Sequence, residues 1–110
     1  MTVEKRMPPA VLELKKRLQD QYPGRLARCV LFGSRARGDH APDSDIDVLV
    51  TLRGPVDWKT EFAILDIAYE IDLQFDVITD IQIFSEEELQ NTILGAMPLI
   101  ENVEKDGVPV

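Results

Sequence analysis

Two carboxylates, Asp45 and Asp47, stand two positions apart at the start of an apolar, β-branched run that extends from Ile46 to Leu52. Side chains alternate along a strand, so both carboxylates project from one face while Ile46 points to the other. Like charges held side by side repel, and a divalent cation relieves that repulsion most simply; hard carboxylate oxygens suit Mg²⁺ or Mn²⁺. Gly33 and Ser34 end the preceding apolar run, where backbone N–H groups and a hydroxyl can approach phosphate oxygens closely. Arg35 and Arg37 add positive charge beside them. A phosphate grip joined to a carboxylate metal site is the equipment for phosphoryl or nucleotidyl transfer.

The elements that must position these residues read in the order αβ(loop)βαβα. Pro8-Pro9 opens a helix whose apolar positions Val11, Leu14 and Leu18 recur at helical spacing until Pro23-Gly24 stops it, with Lys15, Lys16 and Arg17 on or near its wet side. Leu26 to Phe32 is the first strand and Ile46 to Leu52 the second; the twelve residues between Phe32 and Asp45 are polar and loop-like. Asp57 caps a helix whose apolar positions Phe62, Leu65, Tyr69 and Ile64, Ile67, Ala68, Ile71 cover a broad face suited to lying on a sheet. A third strand is expected over roughly Leu73 to Ile78, prolonged through Ile81 and Ile83 if it is long. Ser85 and Glu88 form a capping box that opens a last helix, which Gly95 and Pro98 kink or split before Asp106-Gly107 ends it.

Composition sets outer limits. The chain has 110 residues, a formal charge of −8, 45% apolar and 29% charged residues, which suits one small globular domain over 1–110 and leaves no length for a polymerase with separate palm, fingers and template-binding parts. No stretch approaches the roughly 18 apolar residues of a membrane span, and the charged start lacks an apolar signal core, so the expected location is the cytoplasm. The lone Cys29, beside Val30 and Leu31, reads as a buried structural thiol. Residues 1–40 hold nine Lys/Arg against four Asp/Glu, whereas 41–110 hold three against sixteen. Extended binding to nucleic acid is therefore not expected of the acidic part, and the basic third suits a small anionic ligand, an acidic partner surface or a solvated helix face.

Strand, Gly33-Ser34, ten residues, Asp45-x-Asp47 and strand together form a specific pattern. The segment Leu31-Phe-Gly-Ser-Arg-Ala-Arg-Gly38 through Ser44-Asp-Ile-Asp-Val-Leu-Val50 resembles the minimal nucleotidyltransferases of the DNA polymerase β superfamily, and the closing Asn102-Val-Glu-Lys-Asp-Gly107 extends the likeness along the chain. The resemblance implies an α+β, polymerase β palm-like fold: a small mixed sheet with helices packed mainly on one face and the site at an exposed sheet edge. It implies a third metal carboxylate within an apolar-Asp-apolar triplet on the next strand; Phe75-Asp76-Val77 fits, with Asp72 and Asp80 as rivals of the same alternation parity. In that picture Gly33, Ser34, Arg35 and Arg37 hold the triphosphate of ATP or another nucleoside triphosphate. Asp45 and Asp47 bind the metals, and Asp76 completes the site and serves as general base.

Small family members resemble the antitoxin half of a toxin–antitoxin pair, whose partner is an all-helical HEPN ribonuclease that they adenylylate on a Tyr. The resemblance thus implies a Mg²⁺-dependent protein adenylyltransferase. Two alternatives are a binding module that masks its partner without catalysis, and an aminoglycoside-type small-molecule nucleotidyltransferase. A site this open needs a wall from a partner or a second copy. His40, Asp39 and Asp43 read as solvated loop residues, and Trp58 and Tyr69 as packing residues rather than base-stacking platforms.

Overall fold

The computed structural model describes residues 7–38, 44–91 and 93–110; His40, Asp39 and Asp43 lie outside the described residues. Helix α1 (Pro9–Gln21) starts at a proline whose missing N–H costs nothing in a first turn, and it buries Ala10, Val11, Leu14 and Leu18 along one stripe. Of its basic residues, Arg17 reaches across to Glu70 and Gln74 of the long helix described below while holding Glu13 on its own, and Lys15 donates to the Val110 carbonyl at 2.7 Å. The basic face is thus partly a set of ties between elements. Strand β1 (Leu26–Phe32) and strand β2 (Ile46–Leu52) form over the expected residues and pair antiparallel.

The segment after β1 departs from the expected loop. Gly33–Arg37 winds into the short helix α2, closed by Gly38, whose N–H donates to the Ser34 carbonyl at 2.9 Å. Helix α3 (Trp58–Phe75) opens on Asp57, whose carboxylate accepts from the Thr60 N–H at 2.8 Å and is held below the usual carboxylate range chiefly by that bond. The helix runs farther than its sequence suggested. A strand from Leu73 is expected, but the core contacts of Ile64 and Ile71 continue to Phe75, and strand β3 spans Thr79–Ser85 instead.

The capping box forms in both directions: Glu88 N–H donates to Ser85 Oγ and Ser85 N–H to Glu88 Oε1, each at 3.0 Å. It opens α4 (Glu86–Asn91), and a 3₁₀ turn (Ile93–Ala96) separates this from α5 (Pro98–Asp106), the split expected at Gly95 and Pro98. A two-residue strand β4 (Val108–Pro109), which the sequence did not suggest, pairs antiparallel with Val30 and Leu31.

The sheet order is β3-β2-β1-β4, with β2 and β3 parallel across the α3 connection and the other pairs antiparallel. This is the small mixed α+β architecture expected. On one face Ile46, Val48, Val50 and Leu52 pack with Leu31 and Cys29 beneath α1 and α3; on the other Val30, Phe32 and Leu49 meet Ile100 and Val103 of α5. Burial pushes the Cys29 thiol up to about 12, with Lys15 opposing weakly, in keeping with a structural rather than reactive cysteine. Among the described residues no helix is long and apolar enough to cross a membrane.

One expectation for α3 is overturned. Ile64, Ala68 and Ile71 are buried as a sheet-facing stripe should be, but Phe62, Leu65, Tyr69 and Trp58 face outward. The apolar arc of α3 is wider than the sheet can cover, so the residues read as packing groups have no partner within the core.

Candidate active site

Parallel pairing brings the leading ends of β2 and β3 together, and each strand carries an aspartate as its second residue. Asp47 and Asp80 are register partners, so their carboxylates stand on the same face of adjacent strands. Asp45 lies immediately before β2 at the same parity as Asp47, and is exposed. Asp47 is half-buried. Burial pushes its carboxyl above the ordinary carboxylate range, the charges of Asp80 and Asp45 push the same way, and Arg37 opposes them.

Asp76 is placed differently from the expectation. It is the C-cap of α3, in the left-handed region with φ 54°, and its backbone N–H donates to the Asp72 carbonyl. It sits before β3 rather than within it, and it is not among the charges acting on Asp47. The cause is the longer helix: a residue that would be mid-strand in the expected β3 becomes a helix terminus. Asp72 is also committed elsewhere, its Oδ1 accepting from Thr79 N–H at 3.1 Å and Thr79 Oγ1 at 2.8 Å, which ties the end of α3 to the start of β3.

Beside Asp47 the chain leaves β1 through Phe32, the register partner of Asp47, and turns at Gly33. Gly33 has φ +73°, and a Cβ there would overlap the Asp47 carboxylate. Only glycine supplies both the left-handed backbone and the close approach. Gly33 and Ser34 thus begin α2 directly against the carboxylate. The two arginines divide. Arg35 Nη2 donates to the Ser44 carbonyl at 2.9 Å, fixing the backbone that leads into Asp45, whereas Arg37 lies at the exposed end of α2, within 4.0 Å of Asp106. The tie from Arg35 to Ser44 was not foreseen; a guanidinium so near in sequence to a loop of carbonyls was the available signal.

Among the described residues no three His, Cys, Asp or Glu side chains are grouped as a self-sufficient metal cage. The donor set fits a different style of binding. Mg²⁺ keeps several waters and is held by one or two carboxylates together with substrate phosphates, and adjacent anionic oxygens on one sheet face meet that requirement. In the metal-free chain the cluster costs stability. Because the folded-state pKa of Asp47 is raised above the value of 3.8 it has when unperturbed, its contribution is fully present below that value and is lost as pH rises through the folded pKa. Asp47→Asn should accordingly raise the melting temperature of the metal-free protein at neutral pH by roughly 2–5 °C. Millimolar Mg²⁺ should raise that of the unsubstituted chain and not of the variant; differential scanning calorimetry with and without chelator checks both, and an equal Mg²⁺ response in the two proteins would exclude Asp47 as a ligand.

With this geometry the chain is similar to proteins of related description. Residues 11–108 match the family described as nucleotidyltransferase domain. The chain is 36% identical over 78 residues to MJ0604 of Methanocaldococcus jannaschii, named as a candidate protein adenylyltransferase, which covers 71% of this chain and 73% of that protein. Among solved structures, a chain of a toxin–antitoxin complex with AMP-PNP matches with a TM-score of 0.64 and 23% identity, over 89% of this chain and 69% of that one. A chain of the complex between a tri-AMPylated Shewanella oneidensis HEPN toxin and an MNT antitoxin matches with a TM-score of 0.51 and 19% identity, over 91% and 70% of the two chains.

Proposed function

The chain belongs to the nucleotidyltransferase domain family, and from that premise we propose that it moves AMP from ATP, with Mg²⁺, onto a protein hydroxyl, a Tyr of a cognate HEPN ribonuclease toxin, and so acts as its antitoxin. The single observation that carries the chemistry is the register pairing of Asp47 with Asp80, beside the Gly33 turn and two residues after Asp45. The choice of acceptor is supported by what similar proteins are called: a candidate protein adenylyltransferase, and a structural neighbour from the complex of a tri-AMPylated HEPN toxin with an MNT antitoxin. The reading treats residues 1–110 as one catalytic unit working in the cytoplasm, where ATP and such a partner would be found together.

In this reading Asp45 and Asp47 hold Mg²⁺, and Asp80 takes the role that the resemblance implies for Asp76. The metal supplies neutralisation of the triphosphate and of charge on the attacking and leaving oxygens. Gly33 and Ser34 lie where backbone N–H groups and a hydroxyl can meet phosphate oxygens, and Arg37 offsets their charge. Arg35 holds the Ser44 end of the loop, and thereby the approach to Asp45, in place. The acceptor oxygen forms a bond to the α-phosphorus as the bond from that phosphorus to pyrophosphate breaks, and the hydroxyl proton passes to a carboxylate of the cluster. Asp80, on an edge strand, is the carboxylate an incoming protein hydroxyl can reach from outside.

Intact-mass spectrometry of the chain and its partner after incubation with ATP and Mg²⁺ tests the proposal. A gain of one or more AMP units on the partner is expected, and none with Asp45→Asn/Asp47→Asn. A stable complex without any mass gain would instead assign the chain to masking its partner without catalysis.

A further inference from the structure

Helix α3 carries more apolar surface than its own fold uses. Trp58 (66% exposed), Phe62 (61%), Leu65 (40%), Tyr69 (64%) and Leu73 (67%) follow one another at spacings of four, three, four and four residues, which keeps them on a single stripe opposite Ile64, Ala68 and Ile71. An 18-residue helix is about 27 Å long, and the stripe runs nearly its whole length. A contiguous apolar surface of that extent marks an interaction site far more often than a scatter of single side chains does. Near its start, Trp58 and Phe62 meet edge to face at 5.9 Å, and with Glu61 and Leu65 they line a recess of about 180 Å³ that would take one apolar side chain.

The charges beside the stripe say what covers it. Glu61 and Asp72 flank it on one side and Asp66 and Glu70 on the other, where Lys59, the lone cation of the helix, stands over the Trp58 ring at 5.7 Å. Glu70 is matched by Arg17. A second copy laid against this face would set acidic margin against acidic margin in a chain already at −8, which opposes self-association. A helix with its own apolar stripe and Lys/Arg margins is complementary in both respects. The stripe also has a direction. Past the end of the helix the next exposed apolar side chain is Ile78, 62% exposed, whose carbonyl accepts from the Ile46 N–H at 2.9 Å; Ile46 packs on the α3 side of the sheet, and Asp45 and Asp47 project from the other.

We propose that the α3 stripe docks a basic amphipathic helix of the acceptor protein on the side of the sheet opposite the carboxylates, and that the adjoining segment of that protein reaches the cluster around the β3 edge, past Ile78. The proposal rests on the protein-modifying function above for the identity of the occupant as acceptor, but not for the existence of the dock. Trp58, the chain's one tryptophan, lies in the stripe and reports its occupancy.

The test uses the full chain and a synthetic helical peptide about as long as α3, with a Leu stripe bordered by Lys and Arg, beside a counterpart bordered by Glu. The basic peptide is expected to shift Trp58 emission to the blue and to bind at least about tenfold more tightly than the acidic one, and Phe62→Ser/Leu73→Ser is expected to weaken it about tenfold. Both side chains lie outside the core, so an unchanged melting temperature shows the variant intact. Equal affinity for the two peptides, or no effect of the variant, overturns the proposal. So does a dimer in sedimentation that the same variant converts to monomer, since the occupant would then be a second copy. Asp45→Asn/Asp47→Asn should bind the peptide as the unsubstituted chain does. Docking without AMP transfer would therefore refute the function and leave the dock, and transfer undiminished by loss of the stripe would refute the dock alone.

Discussion

Asp80→Asn is expected to slow AMP transfer about a thousandfold, within the range spanned by loss of a general base, while Asp76→Asn leaves it within about twofold. The contrast follows from position. Asp80 pairs in register with Asp47 and bears on its ionisation, whereas Asp76 terminates α3 in a left-handed conformation. Asparagine is well tolerated in that conformation, so Asp76→Asn keeps the cap and the fold. Asp80→Asn removes one negative charge from an edge strand without adding bulk, so it too should fold. The rate of AMP incorporation into the partner, followed by intact mass, decides the matter. A large loss with Asp76→Asn and none with Asp80→Asn would return the third carboxylate to the end of the helix and refute the assignment made from register.

Gly33→Ala should lose about a hundredfold in transfer, the size of effect that follows when a reacting group is displaced by about 1 Å. Two penalties coincide there. The left-handed φ of +73° costs an alanine roughly 1–2 kcal/mol, and the added Cβ needs the space held by the Asp47 carboxylate. Gly38 provides the comparison, because it has φ +81° but no atom within 4 Å of an added Cβ. Gly38→Ala should lower the melting temperature by a similar strain, roughly 4–8 °C, and leave transfer nearly intact. If the two variants were equally impaired in transfer, strain in α2 rather than contact with Asp47 would be the cause, and the close approach at Gly33 would have no catalytic meaning.

Local chemistry was enough for much of this. Helix α1, both long antiparallel strands, the Asp57 cap, the Ser85–Glu88 box and the break at Pro98 were all legible, because each depends on residues within a turn or two of one another. The same is true of Asp45 and Asp47, whose spacing alone puts them on one side of a strand, and of the Gly-Ser turn that meets them. The box also fixes where β3 stops: a strand of the length of β1 and β2 that ends at Ser85 begins at Thr79, with Asp80 in the position that Asp47 has in β2.

What sequence alone could not decide was which aspartate stands beside Asp47 and the use of each face of α3. Asp72, Asp76 and Asp80 share one alternation parity, and the alternating segment from Ile71 to Val77, which reads as a strand, can also continue the helix before it. Helix won because Ile71 and Phe75 continue a packing stripe already anchored by Ile64, with Ala68 buried between them. Asp80 then met Asp47 through pairing between strands 33 residues apart, a contact that no local pattern contains. Likewise, periodicity showed that α3 was apolar over a broad arc, but the width of the sheet determined how much of it was covered. Trp58, Phe62 and Tyr69 were left facing outward because the sheet offers one surface to α3 and Ile64, Ala68 and Ile71 already fill it.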